Sequence, residues 1–153
     1  MSKRRADRLS LALIVAMFAL AMVTWPSAPA RIPIHWNISG QVDGYGSKSV
    51  GLLLMPIVAL AGYALIGAAS LVRRQQFDWS MITALSWFRC SYVILMAGVF
   101  GVIVADARGA NINMNYVIFP VLALMTIASV NLIFQLSRLK SNKTAPPDGG
   151  IQV

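Results

Sequence analysis

Polar chemistry in this chain is concentrated in one segment, RIPIHWNISGQVDGYGSK, which spans residues 31–48. It carries His35, Asp43 and Lys48, and an imidazole beside a carboxylate and an amine is the type of set that serves acid–base catalysis. The whole chain has one histidine and one cysteine, Cys90, so a zinc site would lack ligands. No nucleophile, base and orienting group share a suitable spacing. We therefore expect no enzyme activity, no metal and no cofactor, and a structural or partner-contacting role for His35.

Two further polar side chains, Arg89 and Asn131, lie inside apolar runs. An ionisable group inside a membrane span is by default a functional hypothesis. The alternative, which we favour, is that Arg89 extends to the lipid headgroups beside Trp79 and Trp87. Since Asn131 lies at a similar depth, we also predict an Arg89–Asn131 hydrogen bond.

Four apolar runs dominate the chain and must position these groups. The sequence is 58% hydrophobic and 12% charged, whereas soluble domains carry about 25% charged residues. Runs of about 20 apolar residues cross a bilayer as helices. We predict an all-α fold, an integral membrane four-helix bundle with an ordered exterior loop between helices 1 and 2. The helices are expected at about 9–25, 50–72, 81–104 and 116–136.

The expected domain organisation is simple. A basic N-terminus, residues 1–8, precedes one transmembrane domain, residues 9–138, and a Pro- and Gly-rich tail, residues 139–153, is expected to be disordered. A signal peptide is the rival interpretation of the first run, because Ala28-Pro29-Ala30 resembles a cleavage box. The run is longer than the usual apolar region of about 7–15 residues, which favours a retained helix.

Basic residues predict the orientation of the chain. Nine fall on the side of the termini: Lys3, Arg4, Arg5, Arg8, Arg73, Arg74, Arg138, Lys140 and Lys143. Three fall on the other side: Arg31, Lys48 and Arg108. This asymmetry predicts a cell inner or plasma membrane protein with both termini cytoplasmic and the loop of residues 31–48 exterior. The net charge of +8 then reflects topology, and we expect no nucleic-acid partner.

The exterior loop has its own pattern. If its first part is extended, Ile32, Ile34 and Trp36 lie on one side. Asp43 precedes a glycine in a turn signal, and an ion pair between Asp43 and Lys48 could close that turn.

A second exterior turn is marked by Asn111, Asn113 and Asn115. Asp106 and Arg108 lie beside it. In a four-helix topology both exterior loops are at the same end, so they could meet and form one cap.

The segment IPIHWNISGQVDGYGSK, followed by a proline in the next helix, resembles the signature of the domain-of-unknown-function 1648 family, the N-terminal membrane unit of SdpI-type immunity proteins. The matching positions are Pro33, His35, Trp36, Asn37, Gly40, Asp43, Tyr45, Lys48 and Pro56, within residues 31–56. The resemblance implies a bacterial or archaeal multi-pass membrane protein. Because the topology places the loop outside, we expect these residues to belong to an exterior binding site. The downstream segments typical of SdpI proteins are not found after Val72.

The functional expectation combines this resemblance with the topology. We expect an SdpI-like accessory, sensing or immunity-type protein that binds a peptide, a lipid or a partner through its exterior loop. The alternative is a small subunit of a membrane transporter. Expected partners are the lipid bilayer and a secreted peptide or partner membrane protein, and a homo-oligomer is possible.

Overall fold

A computed structural model describes residues 3–72 and 79–144 of the chain. Within them, four helices and two strands follow one another: α1 Lys3–Thr24, β1 Arg31–Trp36, β2 Val42–Ser47, α2 Lys48–Val72, α3 Trp79–Ala107 and α4 Asn115–Thr144. All four helices are long and apolar enough to cross a membrane. The predicted class of membrane four-helix fold is therefore confirmed, with a small two-stranded sheet added to it.

The helices extend beyond the predicted apolar runs. Helix α1 begins at Lys3 rather than near residue 9, and α4 continues to Thr144. The expected start of the tail at residue 139 therefore falls inside a helix, because Leu139 and Lys140 are good helix formers and prolong it past the apolar stretch. Arg73, Arg74 and residues 145–153 of the predicted tail lie outside the described residues.

Helix α3 is the centre of the bundle, since it packs against each of the other three helices. Helix α1 contributes a buried stripe at helical spacing: Ala6, Ser10, Ile14, Met17, Ala21 and Thr24. Buried Leu52 and Ala59 of α2 and buried Val93, Phe100 and Ile103 of α3 complete the core. Helix α4 contacts only α3 among the helices, so most of its apolar surface is available to lipid.

The predicted loop between α1 and α2 is an antiparallel hairpin. Arg31 pairs with Ser47, and the ladder is irregular on both sides of His35. Ile32 is fully buried, but Ile34 is 36% exposed. Ile32 and Ile34 still share one face of the hairpin, because Gly46 pairs with Ile32 and a Cβ added to Gly46 would meet the side chain of Ile34.

Candidate functional site

The tip of the hairpin is closed by local hydrogen bonds of Asn37. Its side-chain Oδ1 accepts the backbone N–H groups of Ser39, at 2.9 Å, and Gln41, at 3.0 Å. Its backbone carbonyl accepts the N–H of Gly40 at 2.8 Å. Gly40 has φ of +76°, a left-handed conformation that glycine adopts without steric cost. The Asn37–Gly40 spacing of the motif thus specifies the shape of the tip.

The connection between α3 and α4 is equally ordered. Gly109, with φ of +87°, ends α3 in a Schellman motif, in which the N–H of Ala110 bonds the carbonyl of Ala105 at 3.0 Å. The Oδ1 atom of Asp106 accepts the N–H of Ile112 at 2.6 Å. These bonds turn the chain back toward the hairpin.

The hairpin tip is docked onto this connection, and we name the two together, residues 31–47 and 108–115, the cap. Three successive tip carbonyls accept hydrogen bonds from the start of α4: Ile38 from Asn115 Nδ2 at 3.0 Å, Ser39 from Asn113 Nδ2 at 3.0 Å and Gly40 from Met114 N at 3.2 Å. A Cβ on Gly40 would overlap the side chain of Asn113. The predicted meeting of the two loops in one cap is confirmed.

Further side-chain hydrogen bonds hold the cap against the helix ends. They run from Trp36 Nε1 to Asp106 Oδ2 at 3.2 Å and from Arg108 Nη2 to Thr24 Oγ1 at 2.9 Å. Beside the cap, Lys48 Nζ at the start of α2 donates to the Trp25 carbonyl at 3.0 Å and so ties α2, which continues from the hairpin, to the end of α1. The cap is therefore connected to α1, α2, α3 and α4 together. This arrangement gives it a fixed position relative to the bundle.

The predicted Asp43–Lys48 ion pair is wrong. Asp43 Oδ1 lies 2.5 Å from His35 Nδ1 across the hairpin. The structural role expected for His35 is thereby present, although its side chain remains 71% exposed. The extended strand β2 separates Asp43 from Lys48, at roughly 3.3 Å per residue, and Lys48 instead reaches the end of α1.

A cavity of about 760 Å³ lies between the hairpin and the α3–α4 connection. Its wall includes Arg31, Pro33, Gln41, Tyr45, Asp106 and Asn111. The guanidinium carbon of Arg31 lies 5.9 Å from the centroid of the Tyr45 ring. Arg31 takes part in none of the ion pairs of the described residues. Its charge is therefore available to a polar or anionic group that enters the cavity.

The motif residues divide between two roles. Pro33, Gly40 and Tyr45 line the cavity. His35, Trp36, Asn37, Asp43 and Lys48 use their side chains in hydrogen bonds that build or dock the hairpin. Pro56 is buried within α2 and lies outside the cap. The motif is therefore largely a scaffold, and most cavity-lining residues lie outside it.

Sequence reasoning did not identify Arg31 and Gln41 as lining residues. In the sequence, Arg31 is one of the charges that predict the orientation of the chain. Nothing in the neighbours of Gln41 marks it as a lining residue. A hairpin register centred on the Asn37–Gly40 turn would have placed Arg31 near Tyr45, since Arg31 pairs with Ser47 and Pro33 with Tyr45.

Arg89 is buried between helices and its partner Asp7 lies in the basic N-terminal segment, so the extension of Arg89 to the headgroups stays a prediction. Only 9% of its surface is exposed. Its Nη2 forms an ion pair with Asp7 of α1, and its guanidinium carbon lies 4.3 Å from the centroid of the Tyr63 ring in α2. Gly67, one turn further along α2, leaves room for the guanidinium, because a Cβ there would lie 2.7 Å from Nη1. Arg89 thus connects three helices.

The predicted Arg89–Asn131 hydrogen bond is wrong. Arg89 faces α1 and α2, whereas Asn131 lies on α4 with an exposed side chain and lines a different cavity. The predicted depths of the two residues are similar, but their side chains point in different directions. Asp7 is the partner that sequence reasoning missed, although it is the one acidic residue in the basic N-terminal segment and lies next to the buried stripe of α1.

Within residues 3–72 and 79–144, no three His, Cys, Asp or Glu side chains form a group that could hold a metal ion.

Comparison with known proteins identifies one family. Residues 12–60 match the family model described as Domain of unknown function (DUF1648), which covers about a third of the chain. No curated protein and no solved structure gives a match. The matched residues comprise most of α1, the hairpin and the first half of α2, that is, the part that carries the motif. Residues 12–60 of this chain, which has four helices able to cross a membrane, are therefore similar to the DUF1648 domain.

Proposed function

We propose that the protein is an SdpI-like accessory or sensing membrane protein that binds an extended segment of a secreted peptide or partner protein in the cap cavity. The cavity carries this proposal. It is larger than the lower limit of about 300 Å³ for ligand pockets, it has a volume of about 760 Å³, and its walls come from two chain segments that hydrogen bonds hold in place.

The chemistry of the walls suits a peptide. Gln41 and Asn111 offer amide donors and acceptors for a peptide backbone, and Arg31 offers charged donors for a carboxylate. Tyr45 is 53% exposed, and its ring provides a flat apolar surface of the type enriched in protein interfaces. Such a mixture favours a peptide over a purely apolar ligand.

The orientation belongs to the same proposal. Basic residues predominate at the end of the bundle that carries the termini, so the positive-inside rule directs the cap to the exterior. A secreted peptide or an exterior partner domain would then reach the cavity without crossing the bilayer.

Cell challenge with secreted peptide toxins tests the proposal. Cells that express the protein are compared with cells that express Tyr45→Ala or Arg31→Gln, two changes in the cavity wall. Arg4→Gln, which removes an exposed arginine from the other end of the molecule, is the matched control. We expect resistance from the wild type and the control, and reduced resistance from both cavity variants at equal membrane levels.

Topology is measured in parallel. A cysteine introduced at the exposed position Ser39, in a Cys90→Ala background, is treated in intact cells with a membrane-impermeant thiol reagent. Labelling without permeabilisation supports an exterior cap. Labelling only after permeabilisation, or equal resistance from cavity variants and wild type, would count against the proposal.

A further inference from the structure

A second cavity lies on the outer side of the helical bundle, away from the cap, and none of its lining residues belongs to the cap. It has a volume of about 430 Å³ and an almost entirely apolar wall formed by α1, α3 and α4. Its lining includes Leu9, Trp87, Cys90, Ile94, Ile127 and Asn131. Helices α1 and α4 do not contact each other in the described residues, so α3 forms the floor of a groove between them. All three helices are apolar enough to cross a membrane, so the groove faces hydrocarbon.

Exposed arginines flank the groove at the end of the bundle that carries the termini. Arg5 precedes Leu9 by one helical turn on the same face of α1, about 6 Å along the axis. Arg138 follows Asn131 by two turns on the same face of α4, about 10 Å along the axis. Both side chains are exposed, and neither takes part in an ion pair of the described residues.

Arg138 also has a defined position on its helix. Its guanidinium carbon lies 4.3 Å from the centroid of the Phe134 ring, which lies between Asn131 and Arg138 along α4. Positive charge at the mouth of an apolar groove complements a molecule with an anionic head and a hydrocarbon tail. The charge and the groove together point to one class of ligand.

We propose that the groove between α1 and α4 binds an acyl chain of an anionic phospholipid, whose phosphate lies between Arg5 and Arg138. The volume of the groove, about 430 Å³, supports a single chain rather than a further helix, because a helix about 10–12 Å in diameter would fill it with roughly one turn of 5.4 Å. The apolar wall excludes a polar peptide. This proposal does not depend on the function of the cap.

Quenching of Trp87 fluorescence by brominated acyl chains tests the lipid site. The full-length protein is placed in bilayers of phosphatidylcholine that contain increasing fractions of brominated phosphatidylglycerol or brominated phosphatidylcholine. The contribution of Trp87 is isolated by subtracting the signal of the Trp87→Phe variant. We expect quenching of Trp87 at a lower mole fraction of the anionic lipid than of the zwitterionic lipid.

Two sets of variants sharpen the test. Arg5→Gln and Arg138→Gln should each weaken the preference for phosphatidylglycerol about fivefold, the effect of about one basic contact with an anionic lipid. Arg4→Gln removes the same charge from the neighbouring position of α1, which points to another side of the helix, and should leave the preference unchanged. Ala128→Leu, which extends a groove-lining side chain, should reduce quenching by both lipids.

Three results would contradict the proposed lipid site. Equal quenching by the two lipids, or an effect of Arg4→Gln as large as that of Arg5→Gln, would overturn the anionic site. Trp87 shielded from both brominated lipids would show that another protein surface covers the groove, and this too would overturn the proposal. The helical circular dichroism of each variant verifies that it is folded.

Discussion

Replacement of Gly40 by alanine tests whether the hairpin tip is docked as described. Gly40 has φ of +76°, and an added Cβ would lie 2.8 Å from Cγ of Asn113 and closer still to its Oδ1. Gly109 is the matched control, because it has φ of +87° and nothing lies within 4 Å of an added Cβ. The two substitutions therefore share the backbone strain, and only Gly40→Ala also displaces a docked neighbour.

The expected magnitudes follow from these two terms. A left-handed conformation costs a non-glycine residue roughly 1–2 kcal/mol, which is the expected loss for Gly109→Ala. Displacing Asn113 disturbs up to three hydrogen bonds between the tip and the start of α4, each worth about 1 kcal/mol. We therefore expect Gly40→Ala to lower the free energy of unfolding by about 2–5 kcal/mol.

Two measurements distinguish the variants. Equilibrium unfolding in mixed micelles gives the free energy of unfolding of each. Hydrogen exchange at the amide of Met114, which donates to the Gly40 carbonyl, gives the local effect and should be faster in Gly40→Ala alone. Equal destabilisation by the two substitutions, with no local change at Met114, would refute the docked geometry.

Three further substitutions probe single contacts of the structure by unfolding in mixed micelles. Arg89→Gln should lower the free energy of unfolding by about 1–3 kcal/mol, since it removes the buried counter-charge of Asp7, which keeps only its more exposed ion pair with Lys3. The double variant with Asp7→Asn should cost less than the sum of the two, and additive losses would contradict the pair. Asn37→Ala removes the acceptor of two tip N–H groups and should cost about 1 kcal/mol, with Asn37→Asp largely preserving stability. Trp36→Phe loses the hydrogen bond to Asp106 and should cost about 1–3 kcal/mol, and an unchanged stability would show that this bond does not hold the cap.

The helices could be predicted because a helix that crosses a bilayer needs about 20 apolar residues, and the four apolar runs are close to that length. Their ends could not, because the flanking polar segments lie outside the apolar pattern and depend on tertiary contacts. Lys3 begins α1 in an ion pair with Asp7, 2.7 Å away. Such a contact extends a helix without changing its hydropathy.

The contacts of Arg89 could not be predicted from its place along the sequence alone. Depth along a span suggested either the headgroups or Asn131, since both lie at a similar level. In the structure, the direction of the Arg89 side chain decides its partners. It points to a site for the guanidinium that Tyr63 and Gly67 on α2 and Asp7 on α1 form. Which faces of two helices meet cannot be read from either helix alone.

The meeting of the two loops in the cap could be predicted, but the hydrogen-bond partners of its side chains could not. The topology brought the two loops to the same end, but the turn predicted at Asp43 and Gly44 is wrong, because these residues lie within β2 and the chain turns at residues 37–40. The partners of His35, Trp36 and Lys48 depend on strand register and on the docked position of the hairpin, neither of which the sequence pattern defines.

A photoreactive residue introduced at Gln41, in the wall of the cap cavity, gives the most direct test of a binding role for the cap. We predict that irradiation of intact cells yields a defined crosslinked peptide or protein, and that Arg31→Gln in the same chain reduces the yield. A photoreactive residue at Val15, on an exposed part of α1, is the control and should not give this product. The same product from both positions, or none from Gln41, would contradict a binding site in the cap.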